Sequence, residues 1–189
     1  MTNWLRVANG IKRTVGSKMT ALGLAYVAEL VELAPHRGWL VDLGTWKGAS
    51  AAMMAKAAPG RDILTVDIFL EPEDAQTGEG EAPDPLEVQE MLERRFPSVV
   101  LLLQDTVVPA RRLKRAGAAF VLVDADHTGW GVRRDIEAWK PLVVPGGIMA
   151  FDDYGSARWP EVKPTVDELM GDWERLGVRG GVAAYRRIV

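Results

Sequence analysis

Hydrophobic and polar positions along this chain fall into two alternating kinds of segment. Short apolar runs, Trp39–Leu43, Ile63–Ile68, Val99–Leu103, Phe120–Val123 and Gly147–Phe151, are rich in Val, Ile and Leu and show no strict alternation. Runs of that length and composition predict strands covered on both faces. Between them lie longer segments with helical spacing, at Thr20–Ala34, Ser50–Ala58, Leu86–Phe96, Val107–Ala116 and Trp130–Leu142. A further helix is predicted near Pro164–Leu176, and a short final strand over Val182–Ile188. Strand–helix alternation of this kind predicts an α/β fold: one open twisted sheet, mostly parallel, in a three-layer α/β/α sandwich with right-handed crossovers. No repeat or linker divides the 189 residues, so one domain is expected over 1–189.

Two segments stand outside that alternation. The first, an N-terminal helical extension over 1–19, carries Arg6, Lys12, Arg13 and Lys18 and no acidic residue, with Trp4, Ala8, Ile11, Val15 and Met19 at helical steps. Such a helix either caps a ligand site, touches a membrane surface, or packs on the sheet or on a second subunit; packing is the commoner fate of amphipathic helices. It lacks the continuous apolar stretch of a signal peptide, and no run in the chain is long enough to span a bilayer, so cytoplasmic residence is expected. The second, Glu71–Pro85, is acidic, rich in Gly and Pro, and has no apolar anchor larger than alanine. It is either a surface insertion or a lid, since it leaves the carboxyl end of a strand, where such sheets bind ligands.

Composition narrows the chemistry. With 23 basic against 26 acidic residues and a net charge of -3, a general grip on nucleic acid is excluded. The run Arg111–Arg115 reads as a solvated helix face. The absence of cysteine removes disulfides, thiolate metal sites and thiol catalysis together.

Candidate chemistry concentrates at strand ends. The first strand runs into Asp42-Leu-Gly44-Thr45-Trp-Lys-Gly48-Ala-Ser50, a D-x-G-x-x-x-G turn that lets a ligand approach the backbone. It lacks the three spaced glycines of a pyrophosphate cradle, and so suits a nucleoside without phosphate, S-adenosylmethionine above all. The second strand ends in Asp67 and Ile68; an acidic residue at that offset accepts ribose hydroxyls. The third ends in Asp105-Thr106, placed to meet an adenine edge.

Strands four and five run into acid. Phe120-Val-Leu-Val-Asp124-Ala-Asp126-His127 and Ile148-Met-Ala-Phe-Asp152-Asp153-Tyr154 end alike. If the two are neighbours, about 4.8 Å apart, Asp124, Asp152 and Asp153 converge. Crowded carboxylates repel unless one is protonated or a cation sits between them, and oxygen ligands without thiolates suit Mg²⁺ or Mn²⁺. Taken singly, each aspartate serves as well to cap the following helix. His127 acts there as a base, holds the acceptor, or supports its neighbours by hydrogen bonding. His36, in a helix-to-strand turn, reads as a surface residue. Trp46, Trp130 and Trp159 either line an aromatic pocket or belong to the core.

The stretch Val41–Ser50 resembles the first motif of class I S-adenosylmethionine-dependent methyltransferases. Val123–Val132, Asp135–Leu142, Pro145–Gly147, Phe151–Tyr154 and Trp159–Glu168 are similar to a narrower branch, small metal-dependent enzymes of the macrolide and aminocoumarin sugar O-methyltransferase type. The resemblance covers roughly residues 20 to 170. It implies a Rossmann-like seven-stranded sheet with the last strand antiparallel, Asp124, Asp152 and Asp153 as Mg²⁺ ligands, Asp126 as the general base, and Asp67 on the ribose. Ala125 stands where the branch usually has glycine.

The function expected is Mg²⁺-dependent methylation of a small-molecule hydroxyl. Asp126 or His127 would take the proton. The nucleoside would lie against Asp42, Gly44, Thr45, Gly48, Ser50, Asp67, Ile68, Asp105, Thr106 and Asp124. The alternative is a non-catalytic nucleoside-binding module working through a protein partner. A hydroxylated acceptor is the expected partner, with a second copy of the chain as the one candidate for assembly; neither nucleic acid nor a membrane is expected.

Overall fold

The computed structural model describes residues 2–69, 83–113 and 117–188. Seven strands, β1 (Trp39–Leu43), β2 (Ile63–Asp67), β3 (Val99–Leu103), β4 (Ala118–Val123), β5 (Val143–Phe151), β6 (Glu174–Arg179) and β7 (Val182–Arg186), form one sheet in the order β3-β2-β1-β4-β5-β7-β6. β7 runs antiparallel to β5 and to β6; the other pairs are parallel. The helices are α1 (Trp4–Thr14), α2 (Ala21–Leu33), α3 (Ala49–Ala57), α4 (Pro85–Arg95), α5 (Val107–Arg112), α6 (Gly129–Trp139) and α7 (Val162–Leu169). Most of the acidic segment Glu71–Pro85, residues 71–82, lies outside the described residues, as do 114–116 of the basic run.

Helix ends follow local chemistry. The Thr20 hydroxyl accepts the Gly23 N–H at 2.9 Å to start α2, and the Thr128 hydroxyl accepts the Gly131 N–H at 3.0 Å to start α6. α7 stops at Leu169, just before Gly171, and the chain turns into β6. The helix expected near Pro164–Leu176 is therefore shorter, and its last residues belong to an edge strand. β6 reads Glu-Arg-Leu-Gly-Val-Arg and is largely exposed, so no apolar run announces it.

The sheet separates two cores. On one face α1 to α4 bury Leu24, Leu30, Met53, Met54 and Leu92; on the other α5 to α7 bury Ile136, Trp139, Val162 and Val166. Each fully buried Leu contributes roughly 1.5–3 kcal/mol. α1 packs on α2 and α3 with Trp4, Ala8 and Ile11 inward, and the Trp4 indole N–H donates to Glu32 at 3.0 Å. The N-terminal extension is thus part of this layer. No helix among the described residues is long and apolar enough to cross a membrane.

Candidate active site

Strand order decides which loops meet. β1 lies between β2 and β4, and β4 pairs with β5 up to Val123 opposite Phe151. The turn after β1 and the acidic ends of β4 and β5 therefore share the middle of the carboxyl edge. Gly44 has φ of +96°, and a Cβ there would lie 2.0 Å from the Asp124 carbonyl oxygen. Glycine is required here by this backbone-to-backbone approach. The amide of Asp124 also donates to the Leu43 carbonyl at 2.8 Å, which joins the turn to the acidic loop.

Beneath the turn lies a buried polar relay. Thr65 and Ser50 hydroxyls donate to the same Asp42 oxygen at 2.8 and 2.9 Å. Thr65 has one hydroxyl proton, so the Thr45 hydroxyl, 2.6 Å away, donates to it. The other Asp42 oxygen, Oδ1, is buried and has no partner. Burial, only partly opposed by the Thr65 and Ser50 hydroxyls, pushes the Asp42 carboxyl up to about 7. Asp42, Thr45 and Ser50 therefore carry the turn from below. Thr65 escaped sequence reasoning; its one signal is a lone polar residue in the apolar run of β2, directly opposite Asp42.

Asp67 grips the turn from the side. Its Oδ2 accepts the N–H of Thr45 at 2.7 Å and of Trp46 at 2.9 Å, and its Oδ1 accepts that of Phe69 at 2.8 Å. A carboxylate offers about four lone-pair sites, so one is left for a hydroxyl. Ile68 beside it is exposed. Gly48 opens α3 at φ +84°, with Leu92 packed where a Cβ would stand. Trp46 is half-buried at φ +45°, with the Lys18 and Lys47 ammonium groups 5.3 and 4.8 Å from its ring.

Beyond the end of β3, Asp105 and Thr106 turn toward α6. Asp105 accepts the Val107 N–H at 3.0 Å and pairs with Arg134; these contacts outweigh burial and hold its carboxyl below the usual range. The Thr106 hydroxyl donates to Asp135 at 2.5 Å, and its carbonyl accepts the Trp139 indole N–H at 3.0 Å.

Of the three aspartates expected, Asp124 and Asp153 meet here with His127, and Asp152 lies beside them. His127 Nε2 lies 3.3 Å from Asp124 Oδ1 and 3.2 Å from Asp153 Oδ2, and one ligand atom from each of the three falls within 4.8 Å of the others. Burial disfavours the imidazolium, but the hydrogen bonds to Asp124 and Asp153 prevail and push its pKa up to about 10. Asp153 sits at φ +53° and joins the trio, whereas Asp152 Oδ1 lies toward Gly181 of the β6–β7 turn. Burial, with Asp124 and Asp153 nearby, pushes the Asp152 carboxyl up to about 8. Asp126 is exposed, accepts the Thr128 N–H at 2.9 Å, and packs on Gly131 at the start of α6. His36 is exposed, as expected.

Residues 41–154, more than half of the chain and the whole stretch from the glycine turn to the acidic cluster, match the family model described as "Methyltransferase domain". The chain belongs to this methyltransferase family. Its sheet is the Rossmann-like sheet of class I methyltransferases, with β7 antiparallel, and S-adenosylmethionine is the methyl donor the family implies.

Solved structures share the fold at low identity. The O-methyltransferase NovP aligns at a TM-score of 0.69 and 20% identity over 98% of this chain and 88% of its own. CalS11, described as a TDP-rhamnose 3'-O-methyltransferase of calicheamicin biosynthesis, aligns at 0.66 and 20% over 86% and 78%. MycE of mycinamycin biosynthesis, solved with Mg and SAH, aligns at 0.68 and 17% over 100% and 54%. An uncharacterised protein of Acanthamoeba polyphaga mimivirus is 23% identical over 137 residues, 70% of this chain. The chain spans 59% of that relative's length.

Proposed function

We propose that this methyltransferase moves a methyl group from S-adenosylmethionine to a hydroxyl of a small molecule, with a divalent cation, Mg²⁺ by preference, at the acidic cluster. The observation that carries the reading is the meeting of Asp124, His127 and Asp153 directly behind the Gly44 turn. The residues fit both groups. The nucleoside side offers a spare Asp67 lone pair and the exposed Ile68 side chain beside the glycine turn. The cluster offers two hard carboxylate ligands and one imidazole, with Asp152 adjacent.

Asp67 would accept a ribose hydroxyl while keeping its hold on the turn, and Ile68 would face the base. Asp42, Thr45 and Ser50 keep the turn in shape; Asp105 and Thr106 bound the adenine end. Asp124 and Asp153, with Asp152, would hold the cation, which when bound supplies Lewis acidity toward an acceptor oxygen. Of the two residues singled out from the sequence, His127 is the candidate proton acceptor: a cation held by Asp124 and Asp153 would draw those carboxylates off the imidazolium and favour the neutral ring that the role needs. Its Nε2 lies inside the cluster, whereas Asp126 faces solvent and accepts the N–H of Thr128, the residue that caps α6. The methyl-transfer step then depends mainly on alignment of the two reactants.

Support for a hydroxyl acceptor comes from the O-methyltransferase NovP, and for a sugar-type hydroxyl from CalS11, described as acting on TDP-rhamnose; both share the fold. The test is release of S-adenosylhomocysteine from S-adenosylmethionine with a panel of hydroxylated acceptors, nucleotide-linked deoxysugars and catechols included, with Mg²⁺ or with chelator. Turnover that needs both a hydroxyl and Mg²⁺ is the expected result. Turnover undiminished in excess chelator would remove the cation from the scheme. Calorimetry showing no affinity for S-adenosylmethionine or S-adenosylhomocysteine would remove the scheme itself.

A further inference from the structure

Trp159 lies in the segment that follows β5, six residues beyond Asp153. Its indole stacks on the His127 imidazole, with centroids 4.9 Å apart and planes inclined by 19°. The Arg158 guanidinium lies over the same indole at 5.0 Å. Trp159 is half-buried and packs against the core on the α6–α7 side, so its ring is anchored from below. Two residues on, Glu161 Oε2 accepts the Gly129 N–H at 2.5 Å. Gly129 opens α6, directly after the loop that carries Asp124 to His127. One segment after β5 therefore clasps the loop after β4 at two points, once by stacking and once by a charge-assisted hydrogen bond.

A histidine held by hydrogen bonds to two carboxylates is still free to pivot about the line of its Nε2 contacts. A flat aromatic face alongside removes that freedom. We infer that Trp159 is a positioning residue for the methyl-transfer site: by stacking, it fixes the His127 ring plane and keeps Nε2 between Asp124 and Asp153. The inference rests on the role given to His127 above. It predicts that a flat ring at position 159 matters more than apolar volume does, because only a ring offers the stacking face.

The test uses Trp159→Leu, which keeps apolar bulk without the flat face, and Trp159→Phe, which keeps the face. The chain has two histidines, His36 and His127, so imidazole proton resonances are assignable one from the other. In the unaltered protein the His127 ring protons are expected upfield of their ordinary position, under the indole ring current. Trp159→Leu should release that shift and lower kcat on the order of 10- to 100-fold, leaving KM for S-adenosylmethionine little changed. Trp159→Phe should restore most of both. Should the leucine variant lose its circular-dichroism spectrum, Trp159→Met, more adaptable in packing, takes its place.

An unmoved His127 resonance in the folded variant, or equal loss in the leucine and phenylalanine variants, overturns the inference. Full kcat in Trp159→Leu does the same. If the unaltered protein shows no turnover with any acceptor, the functional reading fails by itself, while the resonance shift still reports whether Trp159 holds His127.

Discussion

The Asp67 carboxylate at the end of β2 accepts the backbone N–H of Thr45 at 2.7 Å, so the second strand holds the turn that follows the first. The same side chain reaches Trp46 and Phe69. A residue expected to hold ribose thus has a second task, and its removal should cost more than ligand contact. Hydrogen bonds to charged groups contribute roughly 1.5–3 kcal/mol each, less where water replaces the lost partner. Asp67→Ala should lower stability by about 2–4 kcal/mol, a fall of roughly 4–16 °C in melting temperature for a chain of this size. Calorimetry should show a loss of S-adenosylhomocysteine affinity besides. A melting temperature that stays in place would mean that the grip on the turn carries no energy.

The cation can be tested without any acceptor. Asp153→Ala removes one carboxylate of the trio that Asp124 and His127 complete. Titration of the protein with Mg²⁺ should give a binding isotherm that the variant weakens by at least about tenfold, since even outer-shell changes at metal sites have effects of that order. Asp126→Ala should leave Mg²⁺ affinity in place, because Asp126 points to the α6 cap. Equal Mg²⁺ binding by the unaltered protein and Asp153→Ala would displace the cation from this cluster.

Asp42 gives the protein a pH signature. Burial pushes its carboxyl from 3.8 to about 7, against the pull of the Thr65 and Ser50 hydroxyls. Between those values the native state keeps a proton that the unfolded chain has released. The stability it contributes is complete below about pH 4 and is lost as pH rises through about 7, a change on the order of a few kcal/mol. Asp135, pushed up to about 6 chiefly by burial, acts in the same direction. Asp42→Asn should therefore flatten the fall in melting temperature between pH 4 and 7 without abolishing it. Superimposable pH profiles would show that Asp42 stays ionised in the fold.

Much of this arrangement was legible in the sequence because burial on both faces writes inner strands as plain apolar runs, as in β1, β2, β4 and the second half of β5, with aspartates at their ends. β3 is an apolar run too, although it is an edge strand with Val100 and Leu103 exposed, not covered on both faces as expected. β6 is an exposed edge and carries no such mark. Adjacency of β4 and β5 is enough to bring Asp124, Asp152 and Asp153 close, but not to say which of the two consecutive aspartates reaches His127. That depends on the left-handed φ of Asp153, which no local pattern foretells. His127 joins the trio for a related reason. Asp126 is drawn off to the Thr128 N–H just before α6, while the next side chain, His127, reaches Asp124 and Asp153. The glycine at position 44 was legible as a requirement, though its nearest neighbour is the Asp124 carbonyl and not a ligand.

Thr106 offers a last separation of support from contact. Sequence position places it near adenine, yet its hydroxyl donates to Asp135 at 2.5 Å, and Asp135 is 2% exposed. Thr106→Val keeps shape and removes the donor, which leaves a buried carboxylate short of a partner at about 1–3 kcal/mol. Melting should fall by roughly 2–12 °C. The loss should be larger at pH 8 than at pH 5, because protonation of Asp135 relieves the unpaired charge. Asp135→Asn combined with Thr106→Val should then melt above Thr106→Val alone at pH 8, since an unpaired amide costs less than an unpaired charge. If Thr106 acts through α6 alone, S-adenosylhomocysteine affinity stays near that of the unaltered protein. A large loss of affinity with little change in melting would return Thr106 to the adenine site as a direct contact.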